Sequence, residues 1–310
     1  MLFRSKSPML CFLTIVGAIV VTPAEALVQR AFVASYGSDS NAASNCPVNL
    51  PCRHFDAAVL VVATDGEVVA LDTAPYGTVT LTRSISLTSA PGAYAGMSVF
   101  SGATGITIAT TGVNVVLRGL TINGQGGTAG VSMTAGSKLS IENCVISNFN
   151  GANQNGVLVD TAATVRIVDT IVRDNDFGVE LRGGATANIS GSKFLGNSNI
   201  AIYAHSINST TTTVAISDTV VTGGGTGIEA LSTSGNSRIN MVRTTITNAT
   251  EGIAASASAG TASLTLSDSM LTGNGTGYFR GFGGTITSLV NNIITDNTSN
   301  TGVLSTTPLL

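Results

Sequence analysis

Charged side chains are scarce in this sequence. Asp, Glu, Lys and Arg together make up 10% of its 310 residues, and the formal net charge is −3. Lys and Arg are scattered, so the basic face that nucleic-acid binding requires is missing. Disorder is excluded as well, because 43% of the residues are hydrophobic and disordered chains combine low hydrophobicity with high charge. We therefore expect a folded core and no nucleic-acid partner.

Long apolar runs are also missing. The apolar stretch at residues 9–21 is too short to cross a bilayer comfortably. It follows the basic residues Arg4 and Lys6 and precedes the small-residue site Ala24-Glu25-Ala26, an order typical of a secretory signal peptide. We predict that residues 1–26 are removed on export, leaving a secreted or periplasmic protein without a membrane span.

Tryptophan is absent, and histidine and cysteine are rare. The two histidines, His54 and His205, lack the spacing of a zinc site. Cys46 and Cys52 flank a short proline-containing loop, and export would permit the disulfide that we predict between them. Cys144 stands alone in a strand pattern, which favours a small core residue over a nucleophile.

What the sequence does have is an internal repeat. Segments such as Val165-Arg-Ile-Val-Asp and Val214-Ala-Ile-Ser-Asp share the pattern apolar-x-apolar-x-Asp. Units this short cannot be separate domains and have to stack on one another. We use the second apolar residue of each unit as its anchor, and successive anchors are 22 to 27 residues apart. The anchors are Leu117, Ile141, Ile167, Ile189, Ile216, Met241, Leu266 and Leu289.

A second strand pattern, Gly-apolar-x-apolar, follows in many units, as in Gly156-Val157-Leu158-Val159. Alternation with period two recurs and the helical period is absent. The sequence therefore predicts an all-β fold: a right-handed parallel β-helix, or solenoid, of about eight or more coils, with one continuous apolar column inside.

Asparagine, aspartate and glycine recur where the coils would turn. These residues tolerate positive φ, and asparagine amides can hydrogen-bond from coil to coil. We interpret both series as structural devices of the corners. One series is Asn123, Asn148, Asn175, Asn197, Asn248, Asn274 and Asn297, and the other is Asn143, Asp169, Asp218, Asp268 and Asn291.

The two ends of the solenoid differ in sequence. Phe55, Ala58, Val59 and Val62 form a helical apolar stripe within residues 52–63, which predicts a short helix that caps the first coil. We assign residues 27–75 to this N-terminal cap and 76–310 to the β-helix. No helical pattern covers residues 301–310, which leaves irregular structure or end-to-end self-association open.

Three segments carry a family resemblance: Phe32-Val-Ala-Ser-Tyr-Gly-Ser-Asp39, Pro51-Cys-Arg-His-Phe55 and Leu117-Arg-Gly-Leu-Thr-Ile-Asn-Gly-Gln-Gly126. They resemble uncharacterised exported β-helix proteins of proteobacteria, in the pectate-lyase-like superfamily. The resemblance implies the fold over nearly the whole mature chain. It implies little about activity, since that superfamily includes lyases, hydrolases, epimerases, adhesins and proteins without known activity.

Enzyme motifs of that superfamily are absent. The sequence lacks the Asn-Thr-Asp and Gly-His-Gly motifs of polygalacturonases, the Trp-containing motif of pectate lyases and the Asp-Pro-His-Glu motif of alginate epimerases. No catalytic residue can be transferred from these families.

The repeat register itself suggests a site. When Val157, Val179 and Ile202 are aligned, their neighbours point outward as two adjacent rows spaced ~4.8 Å from coil to coil. In a chain so poor in charge this patch is concentrated. The rows are Glu180, Tyr203 and Glu229, and Asp160, Arg182 and His205.

A saccharide is the ligand that this patch suggests. Arg182 would pair with a uronate carboxylate, and Tyr203 would pack on a sugar ring or donate a proton. Glu180 and Glu229, roughly 10 Å apart over two coils, could act as acid and base or bind Ca²⁺ together with Asp160. The alternative interpretation is a solvated face of screened ion pairs.

Calcium is the one cofactor that the sequence suggests. Asp174 and Asp176, in the corner Arg173-Asp174-Asn175-Asp176, are further candidate Ca²⁺ ligands, although the full spacing of a calcium loop is missing.

Three functional hypotheses remain. The first is a non-catalytic exported protein that binds glycan or envelope material. The second is a lyase or hydrolase acting on an acidic glycan through Glu180, Arg182, Tyr203 and His205. The third is an adhesion or end-to-end assembly module.

Overall fold

Three long parallel sheets form a solenoid of about nine turns in the computed structural model, which describes residues 26–308. Each coil contributes one strand to sheet A, then one to sheet B and one to sheet C. The predicted signal peptide lies almost wholly outside the described residues.

Sheet A has twelve strands and sheets B and C have ten each. The strands of sheet A are Val28–Val33, Val62–Ala70, Ile85–Ser89, Asn114–Arg118, Lys138–Glu142, Thr164–Val168, Thr186–Ser190, Thr210–Ser217, Gly235–Val242, Thr261–Ser267, Gly284–Leu289 and Leu304–Thr307. Those of sheet B are Ala74–Pro75, Ala95–Phe100, Leu120–Gln125, Val145–Ser147, Ile171–Arg173, Lys193–Leu195, Val220–Thr222, Thr245–Thr247, Met270–Thr272 and Ile293–Thr295. Those of sheet C are Val79–Leu81, Thr104–Ala109, Ala129–Ala135, Asn155–Asp160, Phe177–Arg182, Ile200–Ser206, Thr226–Ser232, Glu251–Ala257, Thr276–Arg280 and Ser299–Thr301.

The register of sheet A confirms the repeat and corrects its last member. The predicted anchors pair in order from Leu117 to Leu266. Leu266 then pairs with Ser288 rather than with Leu289. In the strand Gly284–Leu289, Ile286 and Ser288 point inward. The larger side chain of Leu289 therefore lies one residue out of register. Apolarity alone therefore misplaced the anchor.

The corner between sheets A and B is built on single residues with positive φ. Asn143, Asp169, Asp218 and Asp268 have φ between 46° and 51°, as predicted for a corner series. Asn291, the fifth member, does not have positive φ, but its Nδ2 donates to Oδ1 of Asp268 at 2.7 Å. The residue that follows each of the first four is small and buried. Cys144 occupies one of these positions, where its backbone N–H donates to Oγ1 of Thr170 at 3.3 Å. Burial raises the pKa of the Cys144 thiol to about 11, in keeping with a core role.

The corner between sheets B and C divides the predicted asparagine series into three positions. Asn123 does not lie in the turn: it belongs to the strand Leu120–Gln125, in register with Ser147. Asn148 and Asn248 have φ of 67° and 56° and make the turn. The next position is buried and carries amide ladders, in which Nδ2 of Asn175 donates to Oδ1 of Asn197 at 3.0 Å. The predicted hydrogen bonding from coil to coil is thus present, but on the residue after the turn.

A short helix covers the first complete coil. It spans Phe55–Val61 and buries Phe55, Ala58 and Val59, which confirms the predicted capping helix. A 3₁₀ helix at Asp39–Ser44 precedes it, and Cys46 and Cys52 form a disulfide between the two. Two strands of sheet A lie before residue 75, so the assigned cap and the solenoid share one sheet. Within residues 26–308, none of the helices has the length and apolarity that a membrane crossing requires.

Candidate functional site

The predicted rows lie on the outer surface of sheet C. Glu180 pairs in register with Tyr203, and Tyr203 pairs with Glu229. Asp160 pairs with Arg182, two residues further along the strand than Glu180. His205 follows two residues after Tyr203, on the same side of its strand. The strand periodicity of two therefore places these polar side chains on one face.

A groove lies on this face, and its lining comes from three successive coils. Seven residues, 148–154, connect the strands Val145–Ser147 and Asn155–Asp160, whereas three residues, 174–176, make the same connection one coil later. The longer connection forms a rim, and its Asn153 N–H donates to Oδ2 of Asp176 at 2.7 Å. The groove has a volume of about 390 Å³, and its lining consists of Asn153, Asn155, Leu158, Phe177, Glu180, Arg182, Tyr203 and His205. We call it the sheet-C groove.

Glu180 is buried in the groove wall rather than solvated, contrary to the expectation for an outward row. It is 8% exposed. Oε2 accepts a 2.8 Å hydrogen bond from Nδ2 of Asn155, and Oε1 lies 3.3 Å from the guanidinium of Arg182. Burial by itself would raise the pKa of Glu180, but the neighbouring His205, Arg182 and Asn155 outweigh it and lower the pKa below its ordinary value. Glu180 is therefore an ionised carboxylate with its oxygens already engaged.

Arg182 is held between two carboxylates. Its Nε lies 3.1 Å from Oδ2 of Asp160 and its NH1 lies 3.3 Å from Oε1 of Glu180. The Nε contact is close enough for an ion pair but misaligned for a hydrogen bond, so this buried nitrogen has no hydrogen-bond partner among residues 26–308. The proposed pairing of Arg182 with a uronate is therefore not supported, because its charge is already neutralised.

Tyr203 lies in a stack of three rings. Its ring centroid is 5.8 Å from that of Phe177, with 17° between the planes, and 5.0 Å from that of His205, with 20°. The residue is 7% exposed. Neighbouring rings cover most of Tyr203, so the more accessible aromatic ring at the groove is the half-buried Phe177. Burial and the charges of Glu229 and Glu180 raise the pKa of Tyr203, so the phenol stays protonated.

Glu229 and Glu251 form a second acidic element beyond Tyr203. Burial raises the pKa of Glu229. Burial together with the charge of Glu229 raises the pKa of Glu251 to about 7. Neither carboxylate has an ion-pair partner within the described part of the chain. Tyr203 stands on the coil between Glu180 and Glu229, so these two carboxylates do not face each other across an open site.

Sequence reasoning missed four residues of this region: Asn153, Asn155, Phe177 and Glu251. Asn155, Phe177 and Glu251 share a third outward row, three residues before the Glu180 row in each strand. The repeat alignment places these three residues in one row, but a strand period of two would point them inward, so the sequence alone does not assign them to the outer face. Asn153 belongs to the longer connection, and only the local excess of residues signals it.

The calcium candidates Asp174 and Asp176 have other partners. Asp174 turns the corner with φ of 56° and pairs with Arg173, while Asp176 anchors Asn153. A different group could hold a metal ion by its geometry. Among residues 26–308, it is the one group whose three potential ligand atoms lie within 4.8 Å of one another, and it consists of Asp39, His54 and Asp56 in the cap. Nδ1 of His54 already lies 2.7 Å from Oδ2 of Asp39.

Comparison with known proteins agrees with the architecture. The crystal structure of pectate lyase Pel9A matches with a TM-score of 0.61 and 14% identity, over 91% of this chain and 78% of that protein. The full-length tailspike protein 2 of Escherichia coli O157:H7 bacteriophage CAB120 matches with a TM-score of 0.52 and 15% identity, over 83% of this chain and 40% of the tailspike. At such identities the likeness concerns the fold alone. No curated protein sequence matches the chain.

A family model described as the right-handed β-helix region matches residues 104–299. These residues make up more than half of the chain and include the strands that carry the sheet-C groove. The protein therefore belongs to the right-handed β-helix family.

Proposed function

We propose that the protein binds a saccharide in the sheet-C groove and does not cleave it. The observation that carries this proposal is the pairing of a half-buried aromatic ring, Phe177, with the exposed amide of Asn153 in one groove. A pyranose has an apolar face of C–H groups and an edge of hydroxyls, so a ring and an amide are complementary to it. A volume of about 390 Å³ lies within the range of small-molecule sites.

The contacts that occupy the carboxylate of the groove, Glu180, favour binding over cleavage. A nucleophile or general base has to reach the reacting atom. Both oxygens of Glu180 are engaged, and Tyr203 separates it from Glu229. A static polar wall that orients hydroxyl groups fits these contacts better.

A second candidate function, glycoside hydrolysis, rests on one observation. Glu229 and Glu251 are coupled carboxyl groups on adjacent coils: burial raises the pKa of both, and the charge of Glu229 helps to raise that of Glu251 to about 7. A carboxyl group whose pKa is raised toward neutrality can act as a general acid. Release of reducing ends from a polysaccharide panel would support this candidate over binding alone.

Two features support an exported setting. The N-terminal sequence resembles a signal peptide, and the Cys46–Cys52 disulfide suits an oxidising compartment. The pectate lyase with the same fold acts, by its title, on pectate. We take from it only that a β-helix surface can accommodate a polysaccharide, and we propose that this protein acts in the periplasm or outside the cell.

A glycan array followed by titration calorimetry tests the proposal. We expect at least one saccharide to bind, and Phe177→Ala and Asn153→Gly each to weaken binding at least fivefold. Phe282→Ala is the matched control, because Phe282 is 86% exposed and lies outside the groove. An array without binding, or equal losses for Phe177→Ala and Phe282→Ala, would contradict the proposal.

A further inference from the structure

We infer that the sheet-C groove selects saccharides without carboxylate or sulfate groups. This inference rests on the proposed function and names the ligand class of the same site. It departs from the sequence-based expectation that Arg182 recognises a uronate.

The charges on sheet C are predominantly negative. Its strands carry four carboxyl groups: Glu180 lines the groove, Asp160 and Glu229 pair in register with groove residues, and Glu251 lies one coil beyond Glu229. The same strands carry two guanidiniums, on Arg182 and Arg280, and one imidazole, on His205. Nε of Arg280 donates to the carbonyl of Gly284 at the C-terminal end of the solenoid, away from the groove.

The guanidinium in the groove is already paired with carboxylates. Arg182 already contacts Asp160 at 3.1 Å and Glu180 at 3.3 Å. An anionic ligand approaching Arg182 would therefore also approach two carboxylates, of which Glu180 is buried. Like charges in a partly buried site repel strongly because water screens them weakly. Hydroxyl groups avoid this repulsion and can accept from or donate to the same polar atoms.

The neighbouring basic residues face other surfaces. Arg166 pairs with Glu142 on sheet A at 2.8 Å, and Arg173 pairs with Asp174 at the corner at 3.1 Å. Within the described residues, the one other group on this face that can carry positive charge is His205, whose Nδ1 lies 3.9 Å from Oε1 of the same Glu180. Carboxyl groups outnumber the cationic groups around the groove, so ligand charge becomes the property that it discriminates.

Matched oligosaccharides test this selectivity. The probes are galactose and galacturonate oligomers of one length, and likewise mannose and mannuronate oligomers, titrated in 20 mM and 500 mM NaCl. We expect the uncharged member of at least one pair to bind ten times more tightly. Residual binding of its acidic partner should strengthen with salt, because salt screens repulsion.

The outcomes separate this inference from the proposed function. An acidic member that binds as tightly as its neutral partner, or whose affinity falls with salt, overturns the inference while saccharide binding stands. No binding by any array saccharide would instead overturn the proposed function.

A charge variant gives an independent readout. Asp160→Asn removes one of the two carboxylates that neutralise Arg182, and we expect it to improve the binding of the acidic oligomer at least threefold relative to the neutral one. Glu142→Gln is the matched control, since it removes one negative charge from sheet A. The inference is overturned if Asp160→Asn leaves both the melting temperature and the ratio of acidic to neutral oligomer binding unchanged.

Discussion

Asn155 donates a 2.8 Å hydrogen bond from Nδ2 to Oε2 of Glu180 on the next coil. Both side chains are buried, with 5% and 8% exposure. The bond satisfies one oxygen of a carboxylate that has little access to water. It therefore links the floor of the sheet-C groove to its wall, and it belongs to the structure of the groove whether or not a ligand is bound.

Asn155→Ala should destabilise the protein. Losing the amide leaves Oε2 of Glu180 buried without its donor, which costs about 1–3 kcal/mol of unfolding free energy. Urea denaturation measures the change. Asn153→Gly is the control, because Asn153 is exposed with φ of 60°, a conformation that glycine adopts freely. Equal destabilisation by the two variants would contradict the structural role of the hydrogen bond.

The architecture of the groove was largely predictable, whereas its chemistry was not. The repeat and the strand period of two fixed the alignment of Glu180 with Tyr203 and Glu229, because both are properties of local sequence. The burial of Glu180 and the covering of Tyr203 depend on Phe177 and Asn155, whose side chains reach across coils. Such packing follows from side-chain size and rotamer in three dimensions, which periodicity does not encode.

Length variation between coils was the second obstacle. The extra residues around Asn153 look like any polar loop in the sequence, yet they raise the rim of the groove. Ser288 illustrates the same limit at the other end of the solenoid, since a serine occupies an inward position next to a more apolar residue, Leu289. Stacking geometry, rather than hydrophobicity alone, decided both positions.

Stability should fall as the pH rises from 5 to 8 because of Glu251. Its pKa is about 7 in the folded protein and near 4.5 ordinarily, so the folded state favours the neutral acid. The resulting contribution is complete below pH 4.5 and is lost as the pH passes through 7. The raised pKa of Glu229 acts in the same direction. The lowered pKa of Glu180 acts in the opposite direction, but below this window.

Glu251→Gln isolates this effect. The variant should match the wild type at pH 5 and exceed its unfolding free energy at pH 8 by about 1–2 kcal/mol, after allowance for partial exposure. Thermal melts across the pH range measure the difference. Glu142→Gln serves as the control, since the pKa of Glu142 is lowered and its effect should be constant above pH 5. A pH-independent difference for Glu251→Gln would argue against a raised pKa.

Cys144→Ser should be tolerated. The equivalent positions on later coils carry Thr170 and Ser192, whose hydroxyls accept from the backbone N–H of the preceding coil. Sγ of Cys144 already lies 3.3 Å from the carbonyl oxygen of Glu142, so a serine hydroxyl has an acceptor at hand. We expect the unfolding free energy to change by less than about 1 kcal/mol.

Cys144→Leu gives the contrast to the serine variant. Extra methylene groups in a packed corner cost about 1–3 kcal/mol through strain. Chemical denaturation of both variants compares them. A serine variant that is as unstable as the leucine variant would show that this corner position does not accept a hydroxyl as its neighbours do.

The buried asparagine ladder should be a larger source of stability than the asparagine turns. Oδ1 of Asn197 accepts from both the backbone N–H and the amide of Asn175, and its own Nδ2 donates to the carbonyl of Val172 at 3.1 Å. Asn197→Ala leaves several buried groups without partners and should lower the unfolding free energy by roughly 3 kcal/mol.

Asn148→Gly, at a turn with φ of 67°, should cost less than about 1 kcal/mol, since glycine adopts this conformation without strain. Urea unfolding of the two variants decides the order. Because amide hydrogen exchange reports local opening, the loss in Asn197→Ala should concentrate at residues 172–175. A larger loss in Asn148→Gly would show that the turn conformation, rather than the amide ladder, holds successive coils together.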